Sequence, residues 1–193
     1  MLDDRAVLDL FDRTGARLKG HFRLTSGLHS DQYLQCALVL QHPDHAGTLG
    51  QALASKFALD GPIGCVVSPA MGGLMIGHET ARALGVRHVF TERDADGKMA
   101  LRRGFSVEPA ERTVVVEDVV TTGGSTREVI ELLRSAGAEV AAAGSIIDRS
   151  GGLADVGVRR VALATLSVDT WDPATCPMCA AGSTAIKPGS RKA

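Results

Sequence analysis

Apolar residues recur at two spacings along this chain, and the switch between them lays out the elements. Over residues 3 to 14, Val7, Leu8, Leu10 and Phe11 share one side of a helix that stops near Gly15. Residues 20 to 38 lose that period and read as extended and irregular. His21-Phe22-Arg23-Leu24 leads into a turn at Ser26-Gly27, then Tyr33-Leu34-Gln35-Cys36. A helix follows Pro43 and runs to about Phe57, with the proline in a first turn that does not need its amide hydrogen.

Farther on, the apolar residues come in short runs. Cys65-Val66-Val67 is a strand of the buried type, and a helix after it continues to Leu84 and stops at Gly85. Val86 to Thr91 is a second strand, and Thr113-Val114-Val115-Val116 is the clearest one. A helix over 125 to 136 ends at Gly137, and Val140 to Ile147 and Arg160 to Leu166 supply two more strands. Strand and helix in turn predict an α/β fold, a single domain with a mainly parallel central sheet flanked by helices. A length of 193 residues suits one such domain. Open parallel sheets hold their ligands at the carboxyl ends of the strands, so the chemistry is sought there.

Composition narrows the partners. With 45% hydrophobic and 22% charged residues and a net charge of −1, nothing favours nucleic acid or an anionic membrane. No apolar stretch reaches the roughly 18 residues of a helical span, and the acidic start is unlike a secretory leader, so a cytoplasmic location is expected. The four cysteines (Cys36, Cys65, Cys176, Cys179) are too scattered for a disulfide scaffold. Cys176-Pro177-Met178-Cys179 has the spacing of half a zinc site or of a redox pair. Neither Cys36 nor Cys65 supplies the other half, so a plain structural pair is expected. His78-Glu79 lacks the second histidine of a zinc-protease motif. Lys187 to Lys192 forms a basic, frayed end.

The chemistry concentrates after the clearest strand. In Glu117-Asp118-Val119-Val120-Thr121-Thr122-Gly123-Gly124-Ser125-Thr126, two glycines let amide hydrogens converge on an anion where a helix begins. The hydroxyls of Thr121, Thr122, Ser125 and Thr126 add donors. Two carboxylates would repel a phosphate, and they make sense if they face something neutral and polar, such as the vicinal hydroxyls of a ribose. Ser125 with Glu128 also reads as a capping box. The string is neither a P-loop nor a dinucleotide fingerprint.

Residues 114 to 126 as a whole resemble the phosphoribosyl pyrophosphate (PRPP) motif of the type I phosphoribosyltransferases. The resemblance implies that family's single-domain fold. It also implies that Glu117 and Asp118 hold the ribose hydroxyls, while Val119 and Val120 lead into a 5-phosphate cradle of Thr121, Thr122, Gly123, Gly124 and Ser125. Gly20 to Ser30 is similar to the small amino-terminal hood that caps the base in orotate phosphoribosyltransferases, here over about residues 18 to 40. That likeness implies Phe22 and Ser26 as orotate contacts, together with Thr121. Ser68-Pro69-Ala70-Met71-Gly72-Gly73 resembles the pyrophosphate loop, which implies Ala70, Met71 and Gly72 as PRPP contacts. Arg149 matches the family's orotate-contacting arginine, and its planar fork suits a carboxylate.

Residues 92 to 105 carry four basic groups, Arg93, Lys98, Arg102 and Arg103, around Asp96-Gly97, a two-residue hairpin signal. The resemblance makes this a flexible basic loop that closes over the leaving group and reaches into the other subunit of a homodimer. Lys98 and Arg93 are the catalytic candidates. The chain departs from the common pattern, since a lysine and a histidine usual in that loop are missing. Gly72 and Thr25 also stand where lysines are common. The resemblance implies transfer of ribose 5-phosphate from PRPP to orotate with Mg2+ held mainly by PRPP, and no protein ligand to the metal is assigned. A purine or xanthine phosphoribosyltransferase, or a PRPP-sensing regulator of the same fold, are the alternatives. A regulator would need a nucleic-acid-binding extension, and no helix-turn-helix or large basic face is evident.

Overall fold

A computed structural model describes residues 2–24 and 26–188, so Thr25 and the basic residues beyond Pro188 lie outside it. The first helix, α1 (Asp4–Arg13), is capped by Asp3, whose carboxylate accepts from the Ala6 amide at 2.8 Å, and it buries Val7, Leu10 and Phe11. Strands β1 (Arg17–Arg23) and β2 (His29–Leu34) pair antiparallel. The expected extended stretch ends early, because Cys36–Leu40 is a short helix, α2. Its buried residues Cys36, Val39 and Leu40 fall at helical spacing, which a run of five apolar residues hides from a strand-or-helix decision. Helix α3 (Pro43–Lys56) starts at the proline as expected.

The central sheet is built from β3 (Cys65–Pro69), β4 (Arg87–Arg93), β5 (Met99–Leu101), β6 (Arg112–Val120), β7 (Glu139–Asp148) and β8 (Arg159–Thr165). Its spatial order is β5-β4-β3-β6-β7-β8, all parallel except β5 at the edge. The chain moves outward from β3 to β4 and then returns to β6 on the other side of β3. The strand order therefore reverses between β3 and β6, the place where such sheets open a crevice.

Alternation along β6 divides the core in two. Val114 and Val116 face Leu49, Leu53 and Ile76 on the side of α1 to α3 and of α4 (Gly73–Leu84). Val115 faces Val129, Ile130 and Leu133 of α5 (Gly124–Ser135) on the other. The three valines are fully buried, each removing about 1.5–3 kcal/mol worth of apolar surface from water. Helices on both faces follow from strands apolar on both faces.

The basic loop proves to be a hairpin on the sheet edge, with Thr91, Glu92 and Arg93 paired to Leu101, Ala100 and Met99. Its turn holds three residues between Asp94 and Lys98, not two. The Asp94 amide donates to the Lys98 carbonyl, Gly97 takes φ +78°, and the Asp94 carboxylate accepts from the amides of Asp96 and Lys98. Asp94 thus supplies a cap that the two-residue pattern overlooks.

A second, three-stranded sheet, β1-β2-β9 with β9 at Thr170–Trp171, forms the hood. The chain end is stitched to it. The Arg23 amide donates to the Ile186 carbonyl and the Ile186 amide to the His21 carbonyl, both at 2.8 Å, so ordered structure reaches the threshold of the expected frayed tail. Helix α6 (Pro177–Ala180) carries the Cys176–Cys179 pair to the hood. The pair is not solitary, as the spacing suggested: His21 and His29 stand beside it. No helix among the described residues is long and apolar enough to cross a membrane.

Candidate active site

Between the hood and the carboxyl ends of β6 and β7 lies a cleft of about 710 Å3. Strand β6 does not stop at Val116 but runs on to Val120, so Glu117 and Asp118 are strand residues. Consecutive strand residues face opposite ways. Glu117 turns toward α5, where the Thr126 hydroxyl donates to its Oε2 at 2.7 Å. Asp118 turns toward the loop after β3, and its Oδ1 accepts from the Val119 amide at 2.8 Å. Both acids still border the cleft.

Burial raises both acids. It pushes Glu117 up to about 7, against the Thr126 hydrogen bond, which favours the ionised form, with the neighbouring Asp118 charge adding to the rise. Asp118 is raised by burial too, opposed by its backbone hydrogen bonds and by the Cys36 thiol. The Thr126 hydroxyl is thus engaged by Glu117, and Thr126 does not line the cleft.

The turn Thr121-Thr122-Gly123-Gly124-Ser125 lines the cleft floor at the amino end of α5. Gly123 has φ +75°, and a β-carbon there would lie 2.7 Å from Val156, so both shape and space demand glycine. The capping box does not form. Gly123 is the cap residue, with no side-chain cap hydrogen bond, and Ser125 sits in the first turn, where it lines the cleft. Glu128 pairs instead with Arg93, whose Nη1 lies 3.0 Å from Oε2.

Arg149 follows Asp148 at the end of β7 and lines the opposite wall. Asp148 fixes the backbone there. It accepts from the Ser150 hydroxyl and amide and from the Gly152 amide, and it pairs with Arg160 at 2.8 Å. The Arg149 amide donates to the Val120 carbonyl at 2.8 Å, tying the two strand ends together. Its buried Nε has no partner among the described residues, and burial lowers its pKa. A buried guanidinium donor at a cleft wall with no protein partner is open to a ligand acceptor.

Of the hood residues, Ser26 lines the cleft and Phe22 does not. Phe22 is buried against the Tyr33 ring at 5.9 Å, and its neighbours Arg23 and Leu24 face the cleft instead. Tyr33 and Lys187, which sequence reasoning passed over, also border it. Tyr33 is the chain's one tyrosine, the only prior signal for it. In the loop after β3 the Ala70–Met71 peptide is cis, the Ala70 amide donates to the Thr91 carbonyl, and Met71 is exposed. Gly72 meets Asp118 so closely that a β-carbon would lie 2.6 Å from both carboxylate oxygens. Arg93 lines the cleft, whereas Lys98 is exposed on the hairpin turn outside it.

Comparison with known proteins places the chain in a family. Residues 40–171 match the family model described as phosphoribosyl transferase domain. The chain is 58% identical over 186 residues to the orotate phosphoribosyltransferase of Pelotomaculum thermopropionicum, covering 96% of this chain and 97% of that one. It is 55% identical to that of Desulforamulus reducens, with 96% of each covered. Among solved structures, the orotate phosphoribosyltransferase of Aeropyrum pernix superposes with a TM-score of 0.70 at 31% identity, covering 83% of this chain and 93% of that one.

Proposed function

The chain belongs to the orotate phosphoribosyltransferases of the phosphoribosyl transferase family, and we propose that its cleft divides the reaction between an anion floor, a diol wall and a cationic lid. The enzyme transfers ribose 5-phosphate from PRPP to orotate, giving orotidine 5'-monophosphate and pyrophosphate in pyrimidine biosynthesis. The observation that carries the division of labour is the placement of Thr121 to Ser125 at the start of α5 directly after the acid pair.

In this reading the amides and hydroxyls of Thr121 to Ser125, with the positive end of the α5 dipole, hold the 5-phosphate. Glu117 and Asp118 accept hydrogen bonds from the ribose hydroxyls and must be ionised to do so well. Val119 and Val120 set the depth of the floor. Ala70, Met71 and Gly72 present backbone to the pyrophosphate, with Gly72 keeping Asp118 in place. Arg149 pairs with the orotate carboxylate, aided by Ser26 and Thr121, while Phe22 acts from behind by packing Tyr33 toward the base.

The transition state gathers positive charge on the sugar and negative charge on the leaving oxygens. No side chain attacks; the residues orient the base nitrogen against the anomeric carbon and stabilise separated charge. The cleft's donors are carboxylate and hydroxyl oxygens, a hard set that suits Mg2+, and of the side chains Glu117 and Asp118 are those that could help hold it beside PRPP. When bound, the ion supplies neutralisation of the pyrophosphate oxygens. Arg93 adds charge from this chain's own hairpin. Lys98, outside this chain's cleft, fits a homodimer in which each loop serves the other subunit's site. A cytoplasmic location follows for an enzyme of soluble nucleotide precursors.

An ultraviolet assay with PRPP and Mg2+ tests the base. Orotate should be consumed, while uracil, xanthine and hypoxanthine should not. Turnover of a purine in place of orotate would overturn the assignment of Arg149.

A further inference from the structure

Four potential metal ligands converge beneath the hood, far from the acid pair in sequence and outside the catalytic cleft. His21 of β1, His29 of β2, and Cys176 and Cys179 at α6 have their ligand atoms all within 4.8 Å of one another. His21 Nε2 lies 2.8 Å from His29 Nδ1, 3.5 Å from Cys176 Sγ and 3.8 Å from Cys179 Sγ, and Cys179 Sγ lies 3.3 Å from His29 Nδ1. Zn–S bonds of about 2.3 Å and Zn–N bonds of about 2.0–2.1 Å give a tetrahedron with edges of about 3.3–3.8 Å. Three of these four separations fall in that range, the two imidazoles need to part by about half an ångström, and the remaining two edges lie within 4.8 Å.

The tautomer also fits. His21 Nδ1 lies 3.1 Å from the Ser183 carbonyl oxygen, which can only accept, so Nδ1 carries the hydrogen and Nε2 presents its lone pair to the cluster. A backbone carbonyl orienting the remote nitrogen is the usual outer support of a metal-bound histidine. Cys176, His21 and His29 are buried, and Cys179 is partly so.

A separate observation says why the fold needs something there. Between residues 167 and 188 Cys176 is the one buried residue, and neither apolar core includes any residue of that stretch. Helix α6 is four residues long, too short to hold itself. Yet this segment supplies the Ile186 bridge to β1 and brings Lys187 to the cleft. Apolar burial does not anchor it.

We propose that His21, His29, Cys176 and Cys179 form a structural zinc site that clamps the carboxyl-terminal segment to the hood. The two thiols each release a proton on binding and the imidazoles ligate as neutral groups, so Zn2+ with two thiolates is uncharged overall, as a buried site requires. Two sulfur and two nitrogen donors in a tetrahedron select zinc over magnesium, and four protein ligands leave no open position for catalysis.

Metal analysis of the untagged full-length protein, expressed with zinc and dialysed against metal-free buffer, should find one zinc per chain. Cobalt exchanged into it should give thiolate-to-metal charge transfer and intense tetrahedral visible bands. The double variant C176S/C179S should lose both signals. Because that variant could fail to fold, His29→Cys is the companion: it should keep the metal and strengthen the charge-transfer band. Wild-type protein with no zinc and no cobalt spectrum would overturn the proposal, as would a Cys176–Cys179 disulfide in freshly purified protein.

Discussion

Replacing Glu117 with glutamine should remove a definable slope from the stability of the free enzyme. Burial raises this carboxyl from 4.5 to about 7 in the folded chain, while the unfolded chain returns it to the ordinary value. Between those two pH values the unfolded state sheds a proton that the folded state keeps. Stability must therefore fall as pH rises through that window, and level off above it. A span of about 2.5 pH units at roughly 1.4 kcal/mol each gives on the order of 3 kcal/mol. Asp118 shifts in the same direction through its own burial, a contribution that wild type and the variant share. Urea unfolding followed by circular dichroism, run on wild type and E117Q from pH 4.5 to above 7, isolates the difference. The two curves should converge at the acid end, with E117Q the more stable by a few kcal/mol at neutral pH. PRPP should reverse the order, because ribose hydroxyls donate best to an ionised carboxylate. Parallel curves would refute the burial of Glu117 as described.

Arg149→Ala should reduce kcat/KM for orotate by a factor matching about 2–5 kcal/mol, and Arg149→Lys should recover little of it, since a point charge cannot replace the planar fork; steady-state kinetics with orotate varied checks both. Gly72→Ala should raise the KM for PRPP about tenfold or more with the fold intact by circular dichroism, because its β-carbon displaces the Asp118 carboxylate. Lys98→Ala should lower kcat by about 10²–10³, the scale of one lost transition-state contact. Mixing Lys98→Ala with Arg149→Ala protein should restore part of the wild-type rate if the hairpin serves the other subunit's site; unaltered inactivity of the mixture would confine Lys98 to its own chain.

The parallel sheet was legible because its strands are short β-branched runs, and Val114 to Val116 need no context to be read as buried. The acid-and-glycine string was legible as a cleft-lining turn because two glycines at a strand-to-helix junction mark such a turn. Other features depend on distant pairing. The alternation of β1 is broken by a shift in register between Lys19 and Phe22, so counting by twos from Phe22 could not tell which side chain faces the cleft. Thr126 read as one more hydroxyl donor, although one helical position turns it back to Glu117. His21 and His29 carry no metal-ligand spacing with Cys176 and Cys179 along the chain. They meet them only because β1 and β2 pair and the chain end returns to the hood some 150 residues later.

The position of the acid pair follows from how far each neighbour accompanies β6. Its ladder with β3 ends at Val67 opposite Val115, whereas its ladder with β7 continues to Asp148 opposite Val120. Glu117 and Asp118 therefore sit on a strand held from one side only, beside the point where the chain order reverses. Two residues earlier, carboxylates facing opposite ways would each enter an apolar core. At this position they are half-desolvated, raised and mutually repelling, a state that costs the free enzyme stability. A ligand bringing two hydroxyl donors would relieve part of that cost on binding. On the proposed reading, the affinity for a ribose diol would come partly from relief of that cost, and Gly72, which leaves Asp118 its space, would share in it with the acids.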